Sequence, residues 1–186
     1  MSRKYKFKNP AAAYLVSFAT VYWIDVFTRQ AYFSILEESI KHCRKEKGME
    51  IIAYCFMPNH IHMVFRSEKG NPSGLLRDFK GFTSRKLIKT IEDNPQESRK
   101  EWMLSLMERA GQRNSNVKKR QFWQQHNKPI ELWSNKIIKQ KIDYIHNNPV
   151  KQGFVTDQVD WKYSSARNYA EHDTFLKIDN EGCTWF

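Results

Sequence analysis

Cysteine is scarce in this 186-residue chain, which holds three: Cys43, Cys55 and Cys183. An odd number without metal-box spacing excludes a disulfide framework and predicts free thiols in a cytoplasmic protein. Long apolar runs are missing as well, since no stretch approaches the ~20 residues of a membrane-spanning helix. The basic start, "MSRKYKFKNP", leads into no signal-peptide cleavage pattern, and the short "AAAYLVSFA" after it reads as strand. Internal repeats and low-complexity segments are absent. Acidic residues are the minority: 20 Asp and Glu face 31 Lys and Arg, for a formal net charge of +11 and a pI of about 9.6. That imbalance points to a polyanionic partner, nucleic acid ahead of an anionic membrane surface.

What is present is enough apolar material for one domain with a real core, 40% hydrophobic and 14% aromatic residues. Residues 13–27, "AYLVSFATVYWIDVF", are dense in β-branched and aromatic types and predict a long first strand. In "SILEESIKHCRKEKG", Leu36, Ile40 and Cys43 recur at helical spacing, and Gly48 closes the helix. "MEIIAYCFM" and "HIHMVFR" predict a second and third strand around a "PN" turn. A second helix is expected from Pro72-Ser73 to about Ile91, with Leu75, Phe79 and Phe82 as its apolar row. The order β-α-β-β-α lacks one strand of a ferredoxin-like α+β unit, an antiparallel sheet with helices on one face. "RQFWQQH", residues 120–126, can supply it. Before that lies a short amphipathic helix and a polar, basic, mobile loop. Residues 134–148, "SNKIIKQKIDYIHNN", predict a further helix capped by Ser134 and ended by Pro149, followed by an irregular tail.

The third strand carries the chemistry. Alternation puts Ile61, Met63 and Phe65 on one face and His60, His62 and Val64 on the other. If the apolar set lies under the helices, the two imidazoles stand together on the open face, where a divalent cation resolves their mutual repulsion. An H-x-H pair taken alone also reads as two surface histidines on a half-exposed strand. A zinc site drawing on Cys55 is a third option, although C-x4-H-x-H matches no standard structural-zinc spacing. The late helix sharpens the choice: Ile138, Ile142 and Ile145 define its buried stripe, and Tyr144 and Asn148 share one face at the stripe's edge. A phenol and an amide so spaced would bring a nucleophilic oxygen and a carbonyl ligand toward the same cation.

"FMPNHIHMVF", "FWQQHN", "IDYIHNNPVKQGFV" and "WKYSSARNY", in that order, resemble the single-tyrosine HUH transposases, above all their REP-associated tyrosine transposase branch. The likeness runs from about Val16 to Tyr169. Residues 92–120 look like an insertion relative to compact members, and Lys162 stands where relatives often have proline. The resemblance implies a catalytic domain over 1–150 with a C-terminal extension over 151–186. It implies Tyr144 as the nucleophile, with His60, His62 and Asn148 holding Mg²⁺ or Mn²⁺. The implied reaction is metal-dependent cleavage and strand transfer of single-stranded, hairpin-containing DNA through a 5′-phosphotyrosine and a free 3′-OH. Compact relatives act as dimers and the longer branch can act as monomers, so either a monomer or a homodimer is expected.

Around that site, Arg77, Lys80, Arg85, Lys86 and Lys89 on the second helix, and Lys118, Lys119 and Arg120 in the basic loop, are candidates to neutralise phosphates. Lys141 is either a phosphate or phenolate partner or a solvated helix lysine. Trp123, Trp133, Trp161 and Tyr163 are candidates for base stacking, against core packing as the plainer alternative. A non-catalytic hairpin-binding module and a zinc-stabilised basic protein are the competing functions. The intact set of His60, His62, Tyr144 and Asn148 argues against lost catalysis.

Overall fold

The computed structural model of the chain describes residues 6–179, so Cys183 and the end of the predicted extension lie outside the described residues. The elements are β1 (Ala13–Ala19), α1 (Gln30–Lys47), β2 (Met49–Phe56), β3 (His60–Ser67), α2 (Pro72–Asp93), α3 (Lys100–Gln112), β4 (Ile130–Leu132), α4 (Asn135–His146) and one helical turn, α5 (Asn148–Lys151). The sheet has the order β2-β3-β1-β4, with every pairing antiparallel. This is the ferredoxin-like α+β arrangement, and α4 is its addition. Among the described residues no helix is long and apolar enough to cross a membrane.

Local chemistry sets the element ends. Gly48 closes α1 in the left-handed region at φ 65°, where its N–H returns to the Arg44 carbonyl. Asn71 caps α2 by accepting the Gly74 N–H at 2.9 Å, with Pro72 in the first turn. Two predicted strands are corrected. The first stops at Ala19, because Val21–Trp23 form a tight helical turn in which Tyr22 and Trp23 take positive φ. The fourth is not 120–126 but Ile130–Leu132. Residues 122–127 do run beside β1, for the Gln124 N–H reaches the Ala19 carbonyl and the Ser17 N–H reaches the Asn127 carbonyl. Lys128 at φ 42° and Pro129, which has no N–H, then interrupt the ladder until Ile130 pairs with Leu15.

The alternation on β3 divides the molecule into layers. Ile61, Met63 and Phe65 join Tyr14, Val16, Phe18 and the apolar rows of α1 and α2 in the larger core. Each such buried side chain contributes about 1.5–3 kcal/mol. On the opposite face Leu15, Ala53, Cys55 and Val64 pack against Ile138, Ile142 and Ile145 of α4. The face that carries the histidines is therefore roofed by the tyrosine helix.

The rest of the chain closes the edges. The tail pairs along β2: the Phe56 N–H donates to the Tyr163 carbonyl, the Ser165 N–H to the Tyr54 carbonyl and the Asp179 N–H to the Ile51 carbonyl. An edge strand that would otherwise expose unpaired groups is thereby covered. The segment predicted as a mobile loop is tied back to α3, where the Gln121 N–H donates to the Met107 carbonyl and Asn114 bonds Gln121. Glu97, with its side chain fully buried, accepts from Arg29, Tyr32 and Arg99 and fastens the α2–α3 junction to α1.

Candidate active site

β3 holds His60 and His62 with ring centroids 4.8 Å apart and planes nearly perpendicular. Neither is a free surface histidine, as both are buried beneath α4. Burial penalises the imidazolium. It draws the pKa of His62 down to about 3, with the neighbouring His60 acting in the same direction. Desolvation also lowers His60, while the Asn148 side chain and Asp25 pull the other way. Both rings are thus neutral at physiological pH, the form that offers a lone pair to a metal.

Each ring is also held from behind. The Ser17 hydroxyl lies 2.6 Å from His62 Nδ1, and Asn59 Oδ1 lies 2.7 Å from His60 Nδ1. Asn59 in turn donates its Nδ2 to Asp25 at 2.7 Å, which fixes the amide with its oxygen toward the ring. His60 Nδ1 must then be the protonated nitrogen, leaving its Nε2 as a lone-pair donor. His62 Nε2 is buried and has no hydrogen-bond partner. A native buried polar atom left unpaired calls for a reason, and a coordinated cation is one that fits imidazole.

α4 and the turn after it bring the other two predicted residues. The Tyr144 ring stands 5.8 Å from that of His62, and the residue is 45% exposed. α4 ends at His146 rather than at Asn148, and α5 starts at Asn148 with Pro149 in its first turn. Asn148 is buried, and its Oδ1 accepts from Gln152 Nε2 at 2.8 Å. A carbonyl oxygen has a second lone pair, which can accept a further hydrogen bond or serve a metal. Among the described residues no three His, Cys, Asp or Glu side chains gather into a metal cluster. The Lys151 ammonium lies 5.6 Å from the centre of the Tyr144 ring. Cys55 sits opposite His62 on β2, but its sulfur contacts that of Met57 and burial drives its thiol pKa up, away from the thiolate a zinc site needs.

The predicted basic residues of α2 are not brought to this face. α2 belongs to the opposite layer, where Arg77, Arg85, Lys86 and Lys89 are exposed. Lys80 is mostly withdrawn: its ammonium donates to the Gln124 carbonyl and to Asn127, lies over Phe18, and burial lowers its pKa to about 7. Lys118 and Lys119 are exposed, whereas Arg120 pairs with Glu92 and lies 3.8 Å from Glu108. Lys141, half-buried on α4, is the member of that set on the same element as Tyr144. Of the predicted stacking residues, Trp123 bonds Thr83, Trp161 bonds the Phe56 carbonyl and Tyr163 stacks on Phe33, all as structure, while Trp133 is exposed. Sequence reasoning missed Ser17, Asn59, Asp25, Gln152, Lys151 and Trp23. For Asn59 a signal existed, its position directly before His60; the others are brought in only by folding.

Known proteins are similar to this chain in sequence and fold. A Haemophilus influenzae protein assigned as a REP-associated tyrosine transposase is 27% identical over 134 residues, which cover 72% of this chain and 68% of that protein. A solved structure of a REP-associated tyrosine transposase bound to a REP hairpin superposes with a TM-score of 0.64 at 19% identity, over 91% of this chain and 86% of that one. At that identity the likeness is one of fold. The family model described as "Transposase IS200 like" matches residues 11–107, more than half of the sequence, and the chain belongs to the IS200-like transposase family.

Proposed function

We propose that this chain cleaves and rejoins single-stranded DNA flanking a hairpin, with Tyr144 as the nucleophile and a 5′-phosphotyrosine intermediate. The observation that carries the reading is an exposed tyrosine ring 5.8 Å from an imidazole whose Nε2 is buried and unpaired. His60, His62 and Asn148 would hold Mg²⁺ or Mn²⁺. When bound there, the ion would supply Lewis-acid polarisation of the scissile phosphate.

The chain's own groups do the rest. The Tyr144 oxygen attacks phosphorus as its phenolic proton leaves to solvent; the P–O3′ bond breaks, and the departing oxygen takes up a proton to become a free 3′-OH. Lys151, beside the phenol ring, offsets the negative charge that the phenolate and phosphate bring together. The tyrosyl ester retains the energy of the phosphodiester, so another 3′-OH can displace Tyr144 and complete strand transfer without a nucleotide cofactor. Exposed Arg77, Arg85, Lys86, Lys118 and Lys119 add sequence-independent attraction for the DNA backbone. The fold relative solved bound to a REP hairpin supports a hairpin as the substrate class.

Covalent trapping tests the reading. Labelled hairpin DNA with single-stranded flanks is incubated with protein and Mn²⁺ or EDTA and resolved on a denaturing gel. A metal-dependent adduct that Tyr144→Phe abolishes is expected. An adduct that survives Tyr144→Phe would move the nucleophile elsewhere, and bound DNA with no adduct would favour a non-catalytic hairpin-binding module.

A further inference from the structure

Just beyond β1 the chain makes a turn that local preference disfavours. Tyr22 and Trp23 take φ of 53° and 56°, the left-handed region that side chains with a Cβ avoid. The turn is held on both sides. Thr20, fully buried, donates its hydroxyl to the Ile24 carbonyl at 2.8 Å and to the Asn59 carbonyl at 3.1 Å. The Thr20 N–H donates to the same Asn59 carbonyl, and the Val21 N–H donates to the Phe122 carbonyl. Val21 and Ile24 enter the core, while Tyr22 and Trp23 are turned outward, 44% and 57% exposed. The fold thus spends backbone strain to present two large aromatic side chains to solvent on a fixed support.

Their location gives that presentation a purpose. The Trp23 ring lies 5.6 Å from His60, His60 lies 4.8 Å from His62, and His62 lies 5.8 Å from Tyr144. The ring contacts run in succession from the indole through the histidine pair to the phenol. In an in-line displacement the attacking and leaving oxygens stand on opposite sides of phosphorus. A phosphate at the histidine pair, attacked from the Tyr144 end, therefore releases its O3′ toward the Trp23 end. An exposed indole there meets an unpaired base, and aromatic faces bind unpaired bases without regard to sequence.

We propose that Trp23, with Tyr22 beside it, is a stacking platform for the unpaired base on the 5′ side of the scissile phosphate. This is the nucleotide that departs with the free 3′-OH, and holding it in place keeps that hydroxyl at hand for rejoining. The proposal rests on the phosphotyrosine reading above.

The test uses the full chain in a Tyr144→Phe background, so that DNA stays uncleaved. Hairpin DNA carries 2-aminopurine, whose fluorescence is quenched by stacking, immediately 5′ or 3′ of the phosphate mapped from the covalent adduct. Binding is expected to quench the 5′ probe. Adding Trp23→Ala should restore its fluorescence and weaken binding by about 5- to 100-fold, the range for one base–aromatic stack. Trp23→Phe should recover part of the quench, and the 3′ probe should not respond to residue 23. A thermal melt of each variant reports folding, which an exposed side chain is not expected to control. DNA that binds with the same 5′ quench in Trp23→Ala overturns the platform and leaves the nuclease reading intact. If no adduct forms but DNA binds, the probe is walked through every unpaired position: a Trp23-dependent quench supports the platform while the chemistry fails, and none overturns it. DNA that does not bind overturns both.

Discussion

Ser17 shows how a residue without chemistry of its own can govern a site. Its hydroxyl is the partner of His62 Nδ1, and Ser17→Ala leaves that nitrogen buried and alone. Groups that orient a metal-ligating histidine typically affect affinity by about 10- to 100-fold. Calorimetric titration of Ser17→Ala with Mn²⁺ should show a loss of that size. Affinity equal to the native protein's would mean that His62 is not a ligand, or that its orientation is fixed by other means. His146, on α4, carries a pH prediction. Its Nε2 lies 2.7 Å from the Ser165 hydroxyl, and burial lowers its pKa to about 4. Below an unfolded value of ~6.5, the unfolded chain takes up the proton that the folded chain refuses. Stability from this residue is complete above about pH 6.5 and falls toward pH 4, by up to about 3 kcal/mol. His146→Gln, which can keep the Ser165 bond, should make the fall in urea midpoint between pH 7 and pH 4.5 shallower; an unchanged slope would remove His146 from the account.

At the scale of elements, most helices and strands were readable because their apolar periods are long and unambiguous. α1, α2 and α4 follow a helical repeat, and β3 alternates cleanly between Ile61, Met63 and Phe65 and its histidine face. Errors fell where tertiary bonds outweigh local preference. β-branched and aromatic residues past Ala19 predict more strand, but Thr20 is tied to Ile24 and Asn59 and the chain turns. Residues 120–126 resemble a strand and run beside one, and Pro129 breaks the ladder before it becomes regular. α3 and the basic loop depend on a close approach at Gly111. A Cβ there would lie 2.3 Å from the Lys119 carbonyl oxygen, which is backbone and cannot rotate away. Gly111→Ala should therefore destabilise the protein by about 1–3 kcal/mol, as overpacking commonly does. Urea unfolding measures the loss, and faster hydrogen exchange at the Gln121 amide would localise it. A native midpoint with native exchange would refute the contact.

For the whole molecule, the question is whether one chain suffices. His62 and Tyr144 meet within a single chain, and only residues 133–134 separate β4 from α4, which keeps the tyrosine helix over its own sheet. We therefore expect that one chain can carry out the reaction. Mixing Tyr144→Phe with His62→Ala protein should yield no covalent adduct. Recovery of adduct in the mixture would show that helices are exchanged between subunits and that the active form is a homodimer. The segment 92–120 is joined to the body in the same way as any core element. Burial alone would raise the Glu97 pKa, but bonds from Arg99, Arg29 and Tyr32 outweigh it and hold the carboxylate at about 2. Removing that segment as a dispensable insertion would therefore unclamp α1 as well.

The amino-acid sequence by itself determined the ferredoxin-like order of elements and the face on which His60 and His62 stand. The latter is local, set by a period of two in a strand. The sequence also carried the resemblance that the family match bears out. Only the tertiary structure decided what surrounds the histidine pair. Ser17 comes from β1, Asn59 from the β2–β3 turn, Gln152 from beyond α4, and Trp23 from a strained turn; sheet register and the docking of α4 bring them together. The same docking left α2 and its cations on the far layer. Contacts between segments so distant in sequence leave no periodic trace, because their geometry is fixed by packing and not by the spacing of residues along the chain.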